Sequence, residues 1–132
     1  MAETKAVNPW KWQDQFGFSQ GIEVRGAERV LHCAGQTSVD DDGAPMHAGD
    51  MAAQMNQALN NLETVLGQAG LKLANVVRLN YYTTDVAAFM QAGSSYGPRL
   101  HAAGCQPAST LLGVAALFHP DILVEIEATA VV

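Results

Sequence analysis

Alternation near the end of the chain constrains the fold more than any other feature. Ile122, Val124, Ile126, Ala128 and Ala130 fall on one side of an extended segment, and Leu123, Glu125, Glu127, Thr129 and Val131 on the other. A sustained period of two predicts a β-strand with one apolar face turned to a core. The opposite face carries the carboxylates of Glu125 and Glu127 at i and i+2, roughly 7 Å apart. Solvent, another subunit or a ligand must receive them. A second extended segment, residues 107–117, precedes this strand and is joined to it by Phe118, His119, Pro120 and Asp121.

The strongest helix signal lies upstream. Met51, Met55, Ala58, Leu59, Leu62, Val65, Leu66 and Ala69 recur at helical spacing. Asp50 can accept a free first-turn N–H as N-cap, and Gly70 supplies a left-handed stop. Gln54, Asn56, Gln57, Asn60, Asn61 and Glu63 fill the other face, which is expected to be solvated. In a strand over 76–83, Val77, Leu79 and Tyr81 alternate with Arg78, Asn80 and Tyr82. Asp85 can cap a second helix from Val86 through Phe89 and Met90. Gly93 and Pro98 argue against one straight helix, since an interior proline costs about 3 kcal/mol. Gly104 ends the helical region. Segments 21–25 and 29–34 read as a hairpin around Gly26, Ala27 and Glu28. Residues 1–20 read as an irregular arm, with Pro9, Trp10 and Trp12 packing part of it down, and 38–50 as a loop rich in Asp and Gly. The order is ββαβαββ, an α+β fold with a mixed sheet and two helices on one face.

The 132 residues fit one domain, and 48% hydrophobic content suffices for its core. Charged residues are only 15%, against about 25% in an average soluble domain. Part of the surface is therefore expected to be hidden in an oligomer. The net charge of −6 and the absence of a basic run give nucleic acid no purchase. No apolar run approaches the roughly 20 residues of a membrane span, and residues 1–5 lack the apolar core of a signal peptide. A cytoplasmic protein is expected. Cys33 and Cys105 have no CxxC pattern and read as buried free thiols. His32, His47, His101 and His119 show no metal-ligand spacing.

Several short motifs, in this order and spacing, resemble those of the Rid (reactive intermediate deaminase) proteins, also called the YjgF or liver perchloric-acid-soluble protein family. They are Ser19, Gln20 and Gly21 before the first strand, Ala34, Gly35 and Gln36 after the second, residues 65–70, residues 81–85, and residues 123–128. The similarity covers nearly the whole chain. It implies a chorismate mutase-like fold and a homotrimer around a central sheet barrel, with small-molecule clefts between subunits. The face bearing Glu125 and Glu127 would turn toward the trimer interior or cleft. The resemblance also implies hydrolysis of enamines and imines to ketones or keto acids with release of ammonia, and no cofactor.

The pocket positions depart from the family pattern. In active members an Arg follows the Pro-Ala step and pairs with the substrate carboxylate, a job suited to a bidentate guanidinium. Here Ser109 stands at that position, neutral and with one donor. Phe18 replaces an aromatic hydroxyl, Ala34 a serine, and Gly93 an asparagine. The connection around Phe118 and His119 is one residue longer. Glu125 keeps the position that holds the water in the family. The main chain around Ser109, Thr110 and Leu111, which meets the imine end there, needs no particular side chain. The expectation is an imine hydrolase with a remodelled pocket, acting on a substrate larger or less anionic than 2-aminoacrylate. The alternative is a non-catalytic trimer binding small metabolites in the same clefts.

At single residues two readings stay open. Glu125 either positions water or pairs with Arg29, Arg78 or Arg99 at an interface, while Glu127 reads as structural. Arg78 either replaces the missing anchor or pairs with a carboxylate, pairing being preferred, and Arg99 reads as surface. Gly35 either admits a ligand close to the backbone or kinks a strand end. His119 either reaches the cleft mouth or sits in an exposed turn. Ser109 and Thr110 lack the His and Asp spacing of a nucleophilic triad.

Overall fold

The computed structural model describes residues 2–132. Strand β1 (Glu3–Val7) pairs antiparallel with β2 (Gly21–Arg25) in a two-stranded ribbon. Strands β3 (Val30–Thr37), β4 (Val76–Thr83), β5 (Leu111–Gly113) and β6 (Val124–Val131) form a four-stranded mixed sheet in the order β3-β6-β4-β5. Helices α1 (Met51–Gln68), α2 (Val86–Gln91) and α3 (Gly93–Ala102) complete the α+β fold. Helix α1 packs on β3 and β6, with α2 and α3 beside it.

The core forms where the apolar periods of helix and strand meet. Met55, Ala58, Leu59, Leu62 and Leu66 of α1 are fully buried, against Leu79 of β4 and Val124, Ile126 and Ala130 of β6. Tyr81, Phe89 and Tyr96 extend this layer, with ring centroids 5.3 and 5.5 Å apart. Asp50 caps α1 by accepting from Ala53 N–H at 3.1 Å. Gly70, at φ +74°, lets Leu71 N–H return to Leu66 O at 2.9 Å. Gly104, at φ +70°, closes α3 in the same way through Cys105 N–H and Leu100 O.

Several expectations need correction. The N-terminal arm is not wholly irregular: β1 is a strand, and Trp12–Phe16 is a 3-10 turn. Trp10 and Trp12 do not pack down, being 57% and 53% exposed. β2 and β3 are not a hairpin, because β2 takes β1 as partner and β3 takes β6. The helical region after Asp85 divides at Ala92, so there are three helices rather than two. Pro98 is the sixth residue of α3, where its missing N–H frees only the Ser94 carbonyl near the start of the helix. The strand expected over 107–117 shrinks to Leu111–Gly113, pairs parallel with β4, and never touches β6. Residues 108–110 continue along β4 irregularly, with Leu79 N–H on Ala108 O and Tyr81 N–H on Thr110 O.

The polar face of α1 is not all solvated either. Gln54 is completely buried. Its amide donates to His47 O (3.1 Å) and Asp121 O (2.7 Å) and accepts from Leu123 N–H (2.8 Å). Arg99 is not a free surface residue: it donates to Asn56, Asn60 and Glu63 of α1.

Candidate functional site

The helix-free face of the sheet presents the residues that alternate out of the core. Cross-strand register sets Tyr82 opposite Glu125, Asn80 opposite Glu127 and Arg78 opposite Thr129. Glu127 is engaged: Tyr82 Oη donates to it closely, and Asn80 Nδ2 donates at 3.4 Å. The carboxylate in turn pushes the Tyr82 phenol above its ordinary pKa. Arg78 donates to Asn80 Oδ1 at 3.1 Å, so it completes this polar chain without meeting a carboxylate, contrary to the expected ion pair. Glu127 is thus held in place by its neighbours.

Glu125 differs. It is half-buried, and its carboxylate makes no hydrogen bond or ion pair among the described residues. Within the one chain Arg29 donates to Ala69 O, Arg78 to Asn80 and Arg99 to α1, so none of the three meets Glu125 of its own chain. The register of β3 on β6 slips between Cys33 and Gln36, a bulge that carries Ala34 and Gly35 past the Glu125 side chain. A Cβ on Gly35 would stand 1.8 Å from Glu125 Oε2. Gly35 is therefore required by close approach, but what approaches it here is the carboxylate itself.

Phe18 and Ser109 form a second group. Ser19 N–H donates to Pro107 O at 2.9 Å, and Ser19 Oγ to Gln106 O at 2.7 Å. These bonds seat Phe18 beside the segment that carries Ser109, whose own hydroxyl donates weakly to Pro107 O at 3.4 Å. Thr110 is exposed, while Leu111 packs on the core edge. Gly93 opens α3, and nothing lies within 4 Å of where its Cβ would be.

One chain does not unite these groups. By strand alternation Ser109 shares the helix-covered face with Leu111, whereas Glu125 lies on the open face. They are separated by two strand spacings and about three residues along the strand, on the order of 14 Å. A groove of about 410 Å³ runs between the β1–β2 ribbon and the ends of β4 and β6, but it contains neither Glu125 nor Ser109. Cys33 and Cys105 are free and buried, as expected, and burial pushes the Cys105 thiol up to about 12, far from thiolate chemistry. Among the described residues no three of His, Cys, Asp and Glu gather into a metal-binding group, and no helix is long and apolar enough to cross a membrane. His119 accepts from Asp121 N–H within its own turn.

The chain matches the family called Endoribonuclease L-PSP over residues 13–132, and it belongs to this family, that of the YjgF/Rid proteins. The Rid-family protein YyfB of Yersinia pestis has the same fold, at a TM-score of 0.80 and 36% identity over 98% of each chain. Protein DfrA of Myxococcus xanthus is 33% identical over 96% of this chain and 88% of its own. The mouse 2-iminobutanoate/2-iminopropanoate deaminase is 32% identical over 86% of this chain and 80% of its own.

Proposed function

We propose that the chain hydrolyses imines or enamines to carbonyl compounds and ammonia, with Glu125 holding the attacking water. One observation carries this reading. On a polar face where Arg78, Asn80, Tyr82 and Glu127 bond to one another, the Glu125 carboxylate has no hydrogen bond or ion pair among the described residues and is held against Gly35. A half-buried, unengaged carboxylate is suited to take a proton from water. The electrophilic imine carbon then receives the water oxygen, and the C=N electron pair moves to nitrogen, which takes the proton back from Glu125. The carbinolamine expels ammonia as its hydroxyl proton passes to the leaving nitrogen and the carbonyl forms. Ammonia release from imines generated in situ, compared between the wild type and Glu125→Gln, tests the reading. The deaminase relative supports the reaction class. A net charge of −6 without a basic run speaks against cleavage of RNA, whatever the family's name.

The assembly belongs to the same proposal. Within one chain Glu125 and Ser109 lie on the order of 14 Å apart, and a cleft between copies would face one group with the other. We expect a homotrimer with three such clefts. Light scattering in dilute buffer should give three times the 14.0 kDa of the chain, and a monomer would sink the intersubunit site.

The substrate is proposed to differ from the small 2-aminoacrylate type. A charge-assisted hydrogen bond is worth roughly 1.5–3 kcal/mol, against about 1 kcal/mol for a neutral one. A serine at 109 in place of a guanidinium therefore weakens binding of a small carboxylate substrate by about 2- to 30-fold. Ser109→Arg is expected to raise kcat/KM on such imines within that range. Efficient wild-type turnover with no gain from the arginine would place the anchor elsewhere, and Arg78 would be tested first.

A further inference from the structure

We infer that the aromatic turn Trp12–Phe16, together with Phe18, is the apolar wall of this site and selects a neutral imine bearing an aromatic ring. The inference rests on the imine-hydrolase reading and names its substrate class. Trp10, Trp12 and Phe16 are each more than half exposed, at 57%, 53% and 54%, although the chain has a well-packed core elsewhere. Three large aromatic side chains left in water within seven residues are a patch, not scattered exposure. The rings are also organised. Trp12 meets Phe16 edge-on at 6.5 Å and Phe18 edge-on at 5.8 Å, so they stand side by side as one surface.

The wall is fixed beside the segment that carries Ser109. Gly17, at φ +73°, reverses the chain between Phe16 and Phe18. Ser19 then locks the following residue to Pro107 and Gln106, two and three residues from Ser109. Every bond holding this corner is made with a neutral group: main-chain carbonyls, the Ser19 and Ser109 hydroxyls, and the Gln106 amide. A ring has a surface to lie on here, whereas a carboxylate finds no cation in these contacts; Lys11, at the start of the turn, is exposed and takes no part in them. An aromatic substituent of the substrate completes the patch that the fold leaves uncovered.

Trp12 lies in this wall, Trp10 lies two residues before it, and the sequence has no other tryptophan, so intrinsic emission reports on this segment. The wild-type protein is titrated with 4-phenylbutan-2-one, the ketone that hydrolysis of its imine would release, and with butan-2-one and 2-oxobutanoate. Emission and calorimetry are read together. The expected result is a saturable blue shift with the phenyl ketone and binding at least tenfold tighter than butan-2-one. Phe18→Ala should cancel most of that advantage, and Phe18→Leu, which keeps bulk without a ring, part of it. Equal affinity for the two ketones, tighter binding of 2-oxobutanoate, or no saturable shift overturns the inference. So does emission already blue in the assembled protein that reddens on dissociation, because a second copy then covers the wall. Phenyl ketone binding without ammonia release from any imine would overturn the hydrolase reading and leave the aromatic site standing. Release of ammonia from small anionic imines without phenyl ketone binding would do the reverse.

Discussion

Glu125→Gln is expected to lower imine hydrolysis by about 10²- to 10⁴-fold, the usual contribution of a positioned general base. Gln matches the shape of Glu and can still hydrogen-bond water, but it cannot take the proton that leaves as the oxygen attacks. Glu127→Gln is expected to change turnover little, because Tyr82 and Asn80 already hold that carboxylate. Gly35→Ala tests the same role from the opposite strand. Its Cβ would fall 1.8 Å from Oε2, 2.6 Å from Cδ and 2.9 Å from Cγ of Glu125. The clash is with the far end of a flexible side chain, so the fold survives and the carboxylate swings away. A rate loss approaching that of Glu125→Gln is expected, in a protein of unchanged mass. Full activity of Glu125→Gln in an assembled protein would end the water-positioning role. Loss of assembly instead would make Glu125 an interface residue.

Most of the secondary structure was legible because period and stop signals agreed. The α1 pattern, its Asp50 cap and the Gly70 stop each point to the same ends, and the structure places the helix at Met51–Gln68. The β6 alternation picked out the core face, since Ile122, Val124, Ile126, Ala128 and Ala130 are all buried, but Val131 on the opposite face is buried as well. Strand partners were not legible. Two adjacent strands around Gly26 favour a hairpin locally, yet β3 gains more by laying Cys33 opposite Ala128 in the core, which leaves β2 to the N-terminal strand. Pairing is decided by long-range burial, to which local turn chemistry is blind.

The candidate site was legible as a set of positions and not as an arrangement. Alternation alone put Arg78, Asn80 and Tyr82 on one face, and the two carboxylates on another strand's outward face. It could not say that Tyr82 and Asn80 would choose Glu127 and leave Glu125 free, because that depends on cross-strand register. Gly35 was noted for close approach, but the bulge that brings it against Glu125 has no sequence signature beyond the glycine itself. The aromatic wall was missed because Trp10 and Trp12 were expected to be buried by their apolarity. Phe16 and Phe18, in the same short stretch, were the signal that these rings outnumber what a marginal arm can cover.

Gln54→Met is expected to destabilise the fold by about 3 kcal/mol, with Tm lowered by roughly 10 °C. The substitution keeps length and buried volume and removes only the amide. That amide is the one group joining α1 to both loops at this end of the sheet. Without it the carbonyl of Asp121 and the N–H of Leu123 lose their partners, each costing about 1–3 kcal/mol where water cannot follow, while His47 O keeps only Asp50 N–H. His47 adds to the effect, since it sits at φ +62° without being glycine and needs its surroundings to hold it. Leu123 lies two residues before Glu125, so the same bond fixes where β6 begins. Thermal unfolding, together with limited proteolysis in loops 38–50 and 114–123, checks the expectation. A loss well under 1 kcal/mol, with both loops still protected, would mean that water replaces the amide and that α1 does not anchor the strand bearing Glu125.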